Sequence, residues 1–326
     1  GDDYVYIAIR RPDGYVGKPA EAGTDAFAMD VGAGTGSGGS IGVPDLDSGF
    51  PVDFAFVKQP AGTGDWDTSA RLIQTKFVDT NTNGAEQTSN GYYFDSNVGW
   101  GNQSWLNSGV QSWMWKRGAG FDVLAYEGTG TTGERLLHSL GKSPEMIWIK
   151  NRTTAGNTGD WMVGHKDLYG GSSPWNGYLV LNKTQGQYND NHPFNNYTPT
   201  AIDFQLNNWD RVNANGSRYL AMLFASVDGI SKVGYYAGSG STQTITTGFQ
   251  PRFLIVKVID NTLPWYVLDT TRGWAAGNDS YLQLNENAVQ VTNFDFGVPT
   301  ATGFTMQGGA AANNESGLNY IYYAHA

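Results

Sequence analysis

The stretch of this sequence that most resembles a metal site is DTNTNG at residues 79–84, which fits the opening D-x-N-x-N-G of a calcium loop. In such a loop the side chains of Asp79, Asn81 and Asn83 would supply oxygen ligands. An EF-hand also needs a bidentate carboxylate at its twelfth position, which here is Asn90. A turn after a strand explains the same residues, because Asn and Gly tolerate positive φ. We therefore prefer the turn, with calcium as the alternative.

Carboxylates beside a tryptophan are the second feature that could do chemistry. Asp65 and Asp67 flank Trp66, and Asp160 directly precedes Trp161. Two carboxylates at a separation of ~5–10 Å are sufficient for glycoside hydrolysis. The third copy of this segment, however, has Pro264 in place of the first aspartate, and surface turns commonly contain aspartate. We expect a protein that is not an enzyme, and polysaccharide cleavage remains an alternative.

Other patterns for catalysis or cofactor binding are incomplete. Residues 128–133 match G-x-G-x-x-G, but neither a helix nor a parallel βαβ pattern follows, as a dinucleotide site requires. Residues 141–143, GKS, lack the first glycine of a P-loop. The four histidines are scattered and cysteine is absent, so neither a zinc cluster nor a disulfide framework is indicated. No cofactor is expected.

Aromatic residues in loops are the better candidates for ligand binding. Three segments fall outside the repeated pattern described below, at residues 98–107, 169–178 and 187–197. Aromatic rings stack on sugar faces while amides and hydroxyls bond to sugar hydroxyls, and these segments contain both. Ordinary solvated loops or subunit contacts are the alternative. The candidate ligand-binding residues are Trp100, Trp105, Trp175, Tyr188 and Tyr197.

Charge and composition exclude several classes of function. The chain has 20 lysines and arginines against 30 aspartates and glutamates, a formal net charge of −10. Nucleic-acid binding depends on clusters of basic residues, and the sequence has no basic run. No apolar run approaches the ~20 residues of a membrane-spanning helix. We therefore expect neither a nucleic-acid partner nor insertion into a membrane.

The elements that position these residues form three repeats with a period of roughly a hundred residues. Each repeat has a strand before a glycine turn, then a Pro-led apolar strand that ends in lysine, then a tryptophan. We assign the repeats to residues 1–111, 112–218 and 219–326, the first being divergent because of a glycine-rich insertion. The recurrent residues are Lys58, Lys150 and Lys257, and Trp66, Trp161 and Trp265. We expect structural roles for both sets, with sugar platforms as the alternative for the tryptophans.

A further strand recurs at residues 112–117, 219–225 and 320–326, and a fourth copy lies at residues 4–10. Either the fourth copy closes a preceding repeat of a longer parent chain, or each repeat borrows a strand from its neighbour. We favour the longer parent chain.

The short segments rich in β-branched and aromatic residues predict an all-β fold. We expect three tandem β-sandwich-like repeats, with one pseudo-threefold ring of sheets as the alternative. No segment sustains a helical apolar pattern over three turns, and the best candidate helix, residues 133–140, is short.

The repeats resemble an uncharacterised β-rich repeat of virion and tail-fibre proteins of marine phages, notably cyanophages. The residues that carry the resemblance are WKRGAGFDVLAYEGTGTTG (115–133), HSLGKSPEMIWIKNR (138–152), GDWMVGHKDL (159–168), YLAMLFASVDGISKVGYYAGSGS (219–241) and GFQPRFLIVK (248–257). The resemblance covers the second and third repeats, and it provides no catalytic residues.

The resemblance implies a place on the virion surface, outside the cell, and assembly with other copies of the chain or with other virion proteins. We expect a tail-fibre component or adhesin that contacts host surface glycans, and a homo-oligomer, with a trimer as one option. A capsid decoration or fibre-shaft protein that only self-assembles is the alternative, and a depolymerase is the third hypothesis.

Overall fold

The computed structural model describes residues 20–34, 44–118 and 120–326, and within them the fold is all-β, as predicted. The fourth copy of the repeated strand, residues 4–10, lies outside the described residues. The candidate helix at residues 133–140 contains a strand instead, because Glu134–Leu137 pairs antiparallel with Asp203–Leu206.

Unit 1 comprises the first eight strands. They are β1 (Phe27–Val31), β2 (Leu46–Asp47), β3 (Phe54–Lys58), β4 (Asp67–Ala70), β5 (Lys76–Asp79), β6 (Gln87–Thr88), β7 (Gly99–Trp100) and β8 (Gln111–Trp115). Its 3-10 helices are Gly23–Asp25 and Arg71–Ile73.

Unit 2 comprises the next eight strands. They are β9 (Phe121–Glu127), β10 (Glu134–Leu137), β11 (Met146–Asn151), β12 (Met162–His165), β13 (Gly177–Val180), β14 (Tyr188–Asn189), β15 (Asp203–Leu206) and β16 (Arg218–Phe224). Its short helices are the 3-10 turns Gly156–Gly159, Leu168–Gly171 and Pro174–Asn176, and α1 (Asp210–Asn213).

Unit 3 comprises the last nine strands. They are β17 (Ser231–Ala237), β18 (Gln243–Thr246), β19 (Phe253–Val258), β20 (Tyr266–Asp269), β21 (Asp279–Gln283), β22 (Val291–Phe294), β23 (Pro299–Thr300), β24 (Gly303–Met306) and β25 (Asn319–His325).

Each unit builds a six-stranded antiparallel sheet with the same topology. The strand orders are β1-β8-β3-β4-β5-β6, β9-β16-β11-β12-β13-β14 and β17-β25-β19-β20-β21-β22. The closing strand of each unit lies between its first strand and its Pro-led strand. The three described sheets therefore contain their own closing strands, and the sheets divide the chain one strand later than the expected boundaries at 111/112 and 218/219.

The inner faces of the three sheets share one core, as the ring alternative expected. Aromatic contacts cross between units: the ring centroids of Phe54 and Phe121 are 5.5 Å apart, and those of Phe224 and Tyr323 are 4.9 Å apart. One continuous buried cluster contains inward-facing residues of all three units. Burying this apolar surface is the main force that holds the units together.

The outer face of each six-stranded sheet has a second, smaller core. In unit 2 it lies beneath the β10–β15 pair, in unit 3 beneath β18, β24 and β23, and in unit 1 beneath β2 and β7. Each unit is thus also a two-layer structure, so the sandwich-like and ring descriptions apply to different faces of the same sheets.

The recurrent tryptophans link the units in a cycle. The indole Nε1 of Trp66 donates to the carbonyl oxygen of Gln283 at 3.0 Å, that of Trp161 to Asp79 at 2.8 Å, and that of Trp265 to Val180 at 3.3 Å. All three side chains are buried, which confirms their structural role. Each bond joins one unit to the next, and this satisfies a buried N–H that would otherwise be costly.

The recurrent lysines are expected from the sequence to extend to the rim or to pair with a carboxylate, but they are buried and bond to backbone carbonyl groups. Nζ of Lys257 donates to the carbonyl oxygens of Thr184 at 2.8 Å and Leu263 at 2.6 Å, and Nζ of Lys58 donates to that of Asn287 at 3.1 Å. Because burial disfavours the charged form, the pKa of Lys257 falls to about 7. These lysines therefore have the structural role that was predicted.

Candidate functional site

Two of the five candidate aromatic residues cannot meet a ligand. Trp100 is completely buried and its Nε1 donates to Oγ of Ser112 at 3.1 Å. Trp175 is 2% exposed and packs edge-on against Phe194, with ring centroids 5.4 Å apart. Both belong to the outer cores, so the expectation that they bind a ligand is corrected. Their loops fold inward because a large apolar ring gains more from burial than from exposure.

Tyr197 contributes to a polar network. Its hydroxyl accepts from Nη2 of Arg135 at 2.6 Å and donates to Oδ1 of Asp203 at 3.0 Å. The Arg135 guanidinium also lies 5.3 Å from the centroid of the Tyr197 ring. These contacts use the hydroxyl and cover part of the ring, which leaves Tyr197 a weak candidate for sugar stacking.

Tyr188 lies in an open groove between units 2 and 3, which we call the 2/3 groove. The groove has a volume of about 530 Å³. Its lining residues are Tyr169, Gln185, Gly186, Gln187, Tyr188, Ile259, Asp260, Asn261 and Thr262. The candidate site therefore combines two tyrosine rings with amides, a hydroxyl and one carboxylate.

The ring of Tyr188 is positioned by stacking. Its centroid lies 5.0 Å from that of Tyr178, with the planes only 14° apart. Tyr178 is buried and Tyr188 is 37% exposed, so the underlying ring holds the exposed one in place. An aromatic ring fixed at a groove in this way can stack on the apolar face of a ligand at little cost in side-chain entropy.

A chain of hydrogen bonds crosses the groove and fixes its polar groups. Nε2 of Gln187 donates to Oδ1 of Asp260 at 3.0 Å, and the Oε1 atom of Gln187 accepts from the backbone N–H of Tyr169 at 2.9 Å. Oδ2 of Asp260 accepts from the backbone N–H of Asn319 at 2.9 Å and from its Nδ2 at 2.7 Å. The Tyr235 hydroxyl donates to Oδ1 of Asn319. Units 2 and 3 thus orient the carboxylate together.

Backbone strain is concentrated in two loops of unit 2, one of which contributes Tyr169 to this groove. Of the five non-glycine residues with positive φ in the described chain, four are in these loops: Tyr169 (51°), Ser173 (52°), Asn195 (50°) and Asn196 (52°). A left-handed conformation is especially unfavourable for a tyrosine. Strain of this kind persists where the surrounding structure enforces it, and it is often found at functional sites.

The other two junctions between units, 1/2 and 3/1, correspond to the 2/3 groove in position but differ from it in chemistry. The backbone N–H of Glu86, Gln187 and Gln290 donates to a carbonyl of the next unit at 2.9, 2.7 and 2.6 Å, so the three junctions correspond. At the junction of units 1 and 2 the Glu86 carboxylate forms an ion pair with Arg152. At the junction of units 3 and 1 Nη1 of Arg272 donates to Oε1 of Gln290 at 3.1 Å. The 2/3 groove instead presents two tyrosines and a carboxylate that is bonded to amide donors.

Trp105 borders a smaller pocket on unit 1, of about 240 Å³, together with Asp65 and Asp67. The Tyr92 hydroxyl donates to Oδ2 of Asp67, and burial raises the pKa of Asp67. Asp79 is the cross-strand neighbour of Asp67. Burial, followed by the negative charges of Asp67 and Asp65, raises the pKa of Asp79 to about 7.

This acidic pair is specific to unit 1. The corresponding cross-strand pairs are Met162 with Val180 in unit 2 and Tyr266 with Gln283 in unit 3. Asp67 and Asp79 therefore replace uncharged residues, and burial raises the pKa of both carboxyl groups.

Of the three calcium candidates, Asn81 has other partners. Oδ1 of Asn81 accepts from the backbone N–H of Trp66 at 2.9 Å, and its Nδ2 donates to Oδ1 of Asp65 at 2.7 Å. Asn182 and Asn285 accept from Trp161 and Trp265 in the same way, at 2.9 and 2.8 Å. The repeated asparagine is thus a cap for the tryptophan backbone. In the described part of the chain no three histidines, aspartates or glutamates are grouped to hold a metal.

Residues 31–326, which include all three units from the end of β1 onward, match a family model described as "Domain of unknown function (DUF7483)". The chain belongs to this family. The DUF7483 match spans the shared core and the 2/3 groove, so the three units together form the family's domain. No curated protein matches the chain. Among the described residues, no helix of the DUF7483 chain is long and apolar enough to cross a membrane.

Part of the groove was predictable from the sequence. The candidate residues include Tyr188, and the candidate loops include residues 169–178, which contain Tyr169. The sequence did not indicate Asp260 and Asn319, because both belong to unit 3 and approach Gln187 only when the units pack together. The sequence signal that could have located this junction is the position of Gln187 in the repeat, which corresponds to Glu86 and Gln290.

Proposed function

We propose that this DUF7483 protein is a phage virion-surface protein, a tail-fibre component or adhesin, that binds host surface glycans in the 2/3 groove. The observation that carries this proposal is the combination of an exposed, stacked tyrosine with a fixed carboxylate and amides in one groove. Sugars have apolar faces and hydroxyl edges, and this combination is complementary to both.

The place on a virion rests on the resemblance of the repeated segments to marine-phage fibre proteins. The protein acts there without catalysis and assembles with copies of itself, in a trimer as one option, or with other virion proteins. The architecture supports such use, because the shared aromatic core and the inter-unit hydrogen bonds provide a rigid support for a binding surface.

Binding of labelled protein to marine cyanobacteria and other marine bacteria tests the proposal. The cells are compared before and after their surface polysaccharide is stripped. Saturable binding that is lost on stripping is the expected result. An absence of binding to every susceptible cell would contradict the proposal.

A capsid decoration or fibre-shaft protein is the second candidate. The observation that favours it is the exposure of two apolar side chains on neighbouring segments of unit 2, Leu137 at 72% and Ile202 at 64%, which self-association would cover. It predicts stable self-association without cell binding, which sedimentation of the purified protein would measure alongside the cell assay.

A further inference from the structure

We propose that the 2/3 groove selects uncharged glycans and rejects glycans that carry carboxylate or sulfate groups. This inference rests on the proposed glycan binding and specifies the class of ligand. It follows from the charge in the groove, the way that charge is held, and the contrast with the two corresponding junctions.

Asp260 carries the only charge among the described residues that line the groove. The other polar lining groups are the amides of Gln185, Gln187 and Asn261 and the hydroxyls of Thr262 and the tyrosines. Neutral amides and hydroxyls can donate to or accept from a sugar hydroxyl. An anionic ligand would find no lysine or arginine among these lining residues.

The Asp260 carboxylate can accept a further hydrogen bond from a hydroxyl group. Its Oδ2 accepts two bonds from Asn319, whereas its Oδ1 accepts one bond, from Gln187. A carboxylate oxygen has two lone-pair sites, so Oδ1 can accept one more donor. A sugar hydroxyl supplies that donor, and a charged acceptor makes the bond stronger than a neutral one.

An anionic sugar would instead place like charges together. Two negative charges roughly 5–6 Å apart at a partly exposed site repel by an amount on the order of a tenfold loss in affinity. Asp260 cannot easily turn away to reduce this repulsion, because three donors from two units fix its orientation.

The two corresponding junctions differ from the 2/3 groove in charge. Arg152 neutralises Glu86 at one junction, and the pocket at the other, of about 310 Å³, is lined by Arg272. In the described part of the chain, the donors that bond to the Asp260 carboxylate, Gln187 and Asn319, are neutral.

Binding of the full chain to a panel of immobilised oligosaccharides tests this inference. The panel contains glucose, galactose and mannose oligomers, with uronate and sulfated counterparts of equal length. The variants are Asp260→Asn and, as a control of equal net charge, Asp228→Asn, which lies on an exposed turn outside the groove. Each measurement is made at low and at high salt.

The expected result is that the best neutral oligomer binds the wild type at least about tenfold more tightly than its anionic counterpart at low salt. This ratio should shrink in Asp260→Asn and remain in Asp228→Asn. Equal or tighter binding of anionic oligomers by the wild type would overturn the inference while leaving glycan binding intact, as would a ratio unchanged in Asp260→Asn. If no oligomer binds, glycan binding in the groove and its selectivity both fail.

Discussion

At the residue scale, the raised pKa of Asp79 has a measurable consequence for stability. The pKa of Asp79 is raised from 3.8 to about 7, chiefly by burial. The folded protein therefore binds more protons than the unfolded chain between about pH 4 and pH 7. The contribution of this group is fully present below about pH 4 and is lost as the pH rises through about 7.

We predict that Asp79→Asn removes this loss, because the amide stays uncharged at every pH and carries no burial penalty for ionisation. The unfolding free energy of the variant relative to the wild type should rise between pH 4 and pH 7, by on the order of 2 kcal/mol. Buried His165 and His325, with pKa values lowered to about 3, give the wild type an opposite slope, so the comparison must be made with the wild type at each pH.

Denaturant unfolding at several pH values measures this difference. Asp228→Asn, on an exposed turn, serves as the control and should show a constant difference from the wild type. A difference between Asp79→Asn and the wild type that does not change with pH would show that Asp79 is ionised throughout the range.

At the element scale, the strand-end asparagine is a repeated device. Asn81, Asn182 and Asn285 each follow a strand and accept from the backbone N–H of a recurrent tryptophan. The asparagine is therefore what the three turns share, and it explains why DTNTNG resembles a calcium loop.

Asn285→Ala should destabilise the protein by about 1–3 kcal/mol, because it leaves the buried N–H of Trp265 without a partner. Thermal unfolding measures the loss, and Asn278→Ala, at an exposed turn, is the matched control. Equal stability of the two variants would argue against the capping role.

The sequence predicted the elements better than it predicted their partners. Strand positions, the repeat and the structural roles of Trp66 and Lys58 followed from alternation and recurrence, but the burial of Lys58 did not. The burial of Trp100 and Trp175 did not, because a loop that folds back as an outer layer has no distinctive periodicity. The role of Asp260 was not predictable either, because its hydrogen-bond partners Gln187 and Asn319 are more than fifty residues away in the chain.

At the scale of the whole molecule, the shared core makes the three units interdependent. Phe56 contacts Trp66 and Trp113 within unit 1, and Phe253 of unit 3 lies 6.5 Å away. An isolated unit would expose the inner face of its sheet to water.

We therefore expect calorimetry of the full chain to show one transition, with equal calorimetric and van't Hoff enthalpies. Phe56→Ala should reduce the free energy of unfolding by about 3–5 kcal/mol. The temperature of this single transition should fall accordingly. Several transitions, of which Phe56→Ala shifts only one, would show that the units fold independently.

The most direct test of the central claim, glycan binding in the 2/3 groove, is calorimetric titration of wild type, Tyr188→Ala and Tyr197→Ala. The ligand is surface polysaccharide released from a bacterium that the protein binds. We predict saturable binding by the wild type and by Tyr197→Ala, and affinity roughly tenfold weaker for Tyr188→Ala, because the stacking surface is lost. Wild-type affinity in Tyr188→Ala, with folding confirmed by an unchanged melting transition, would contradict the proposed site.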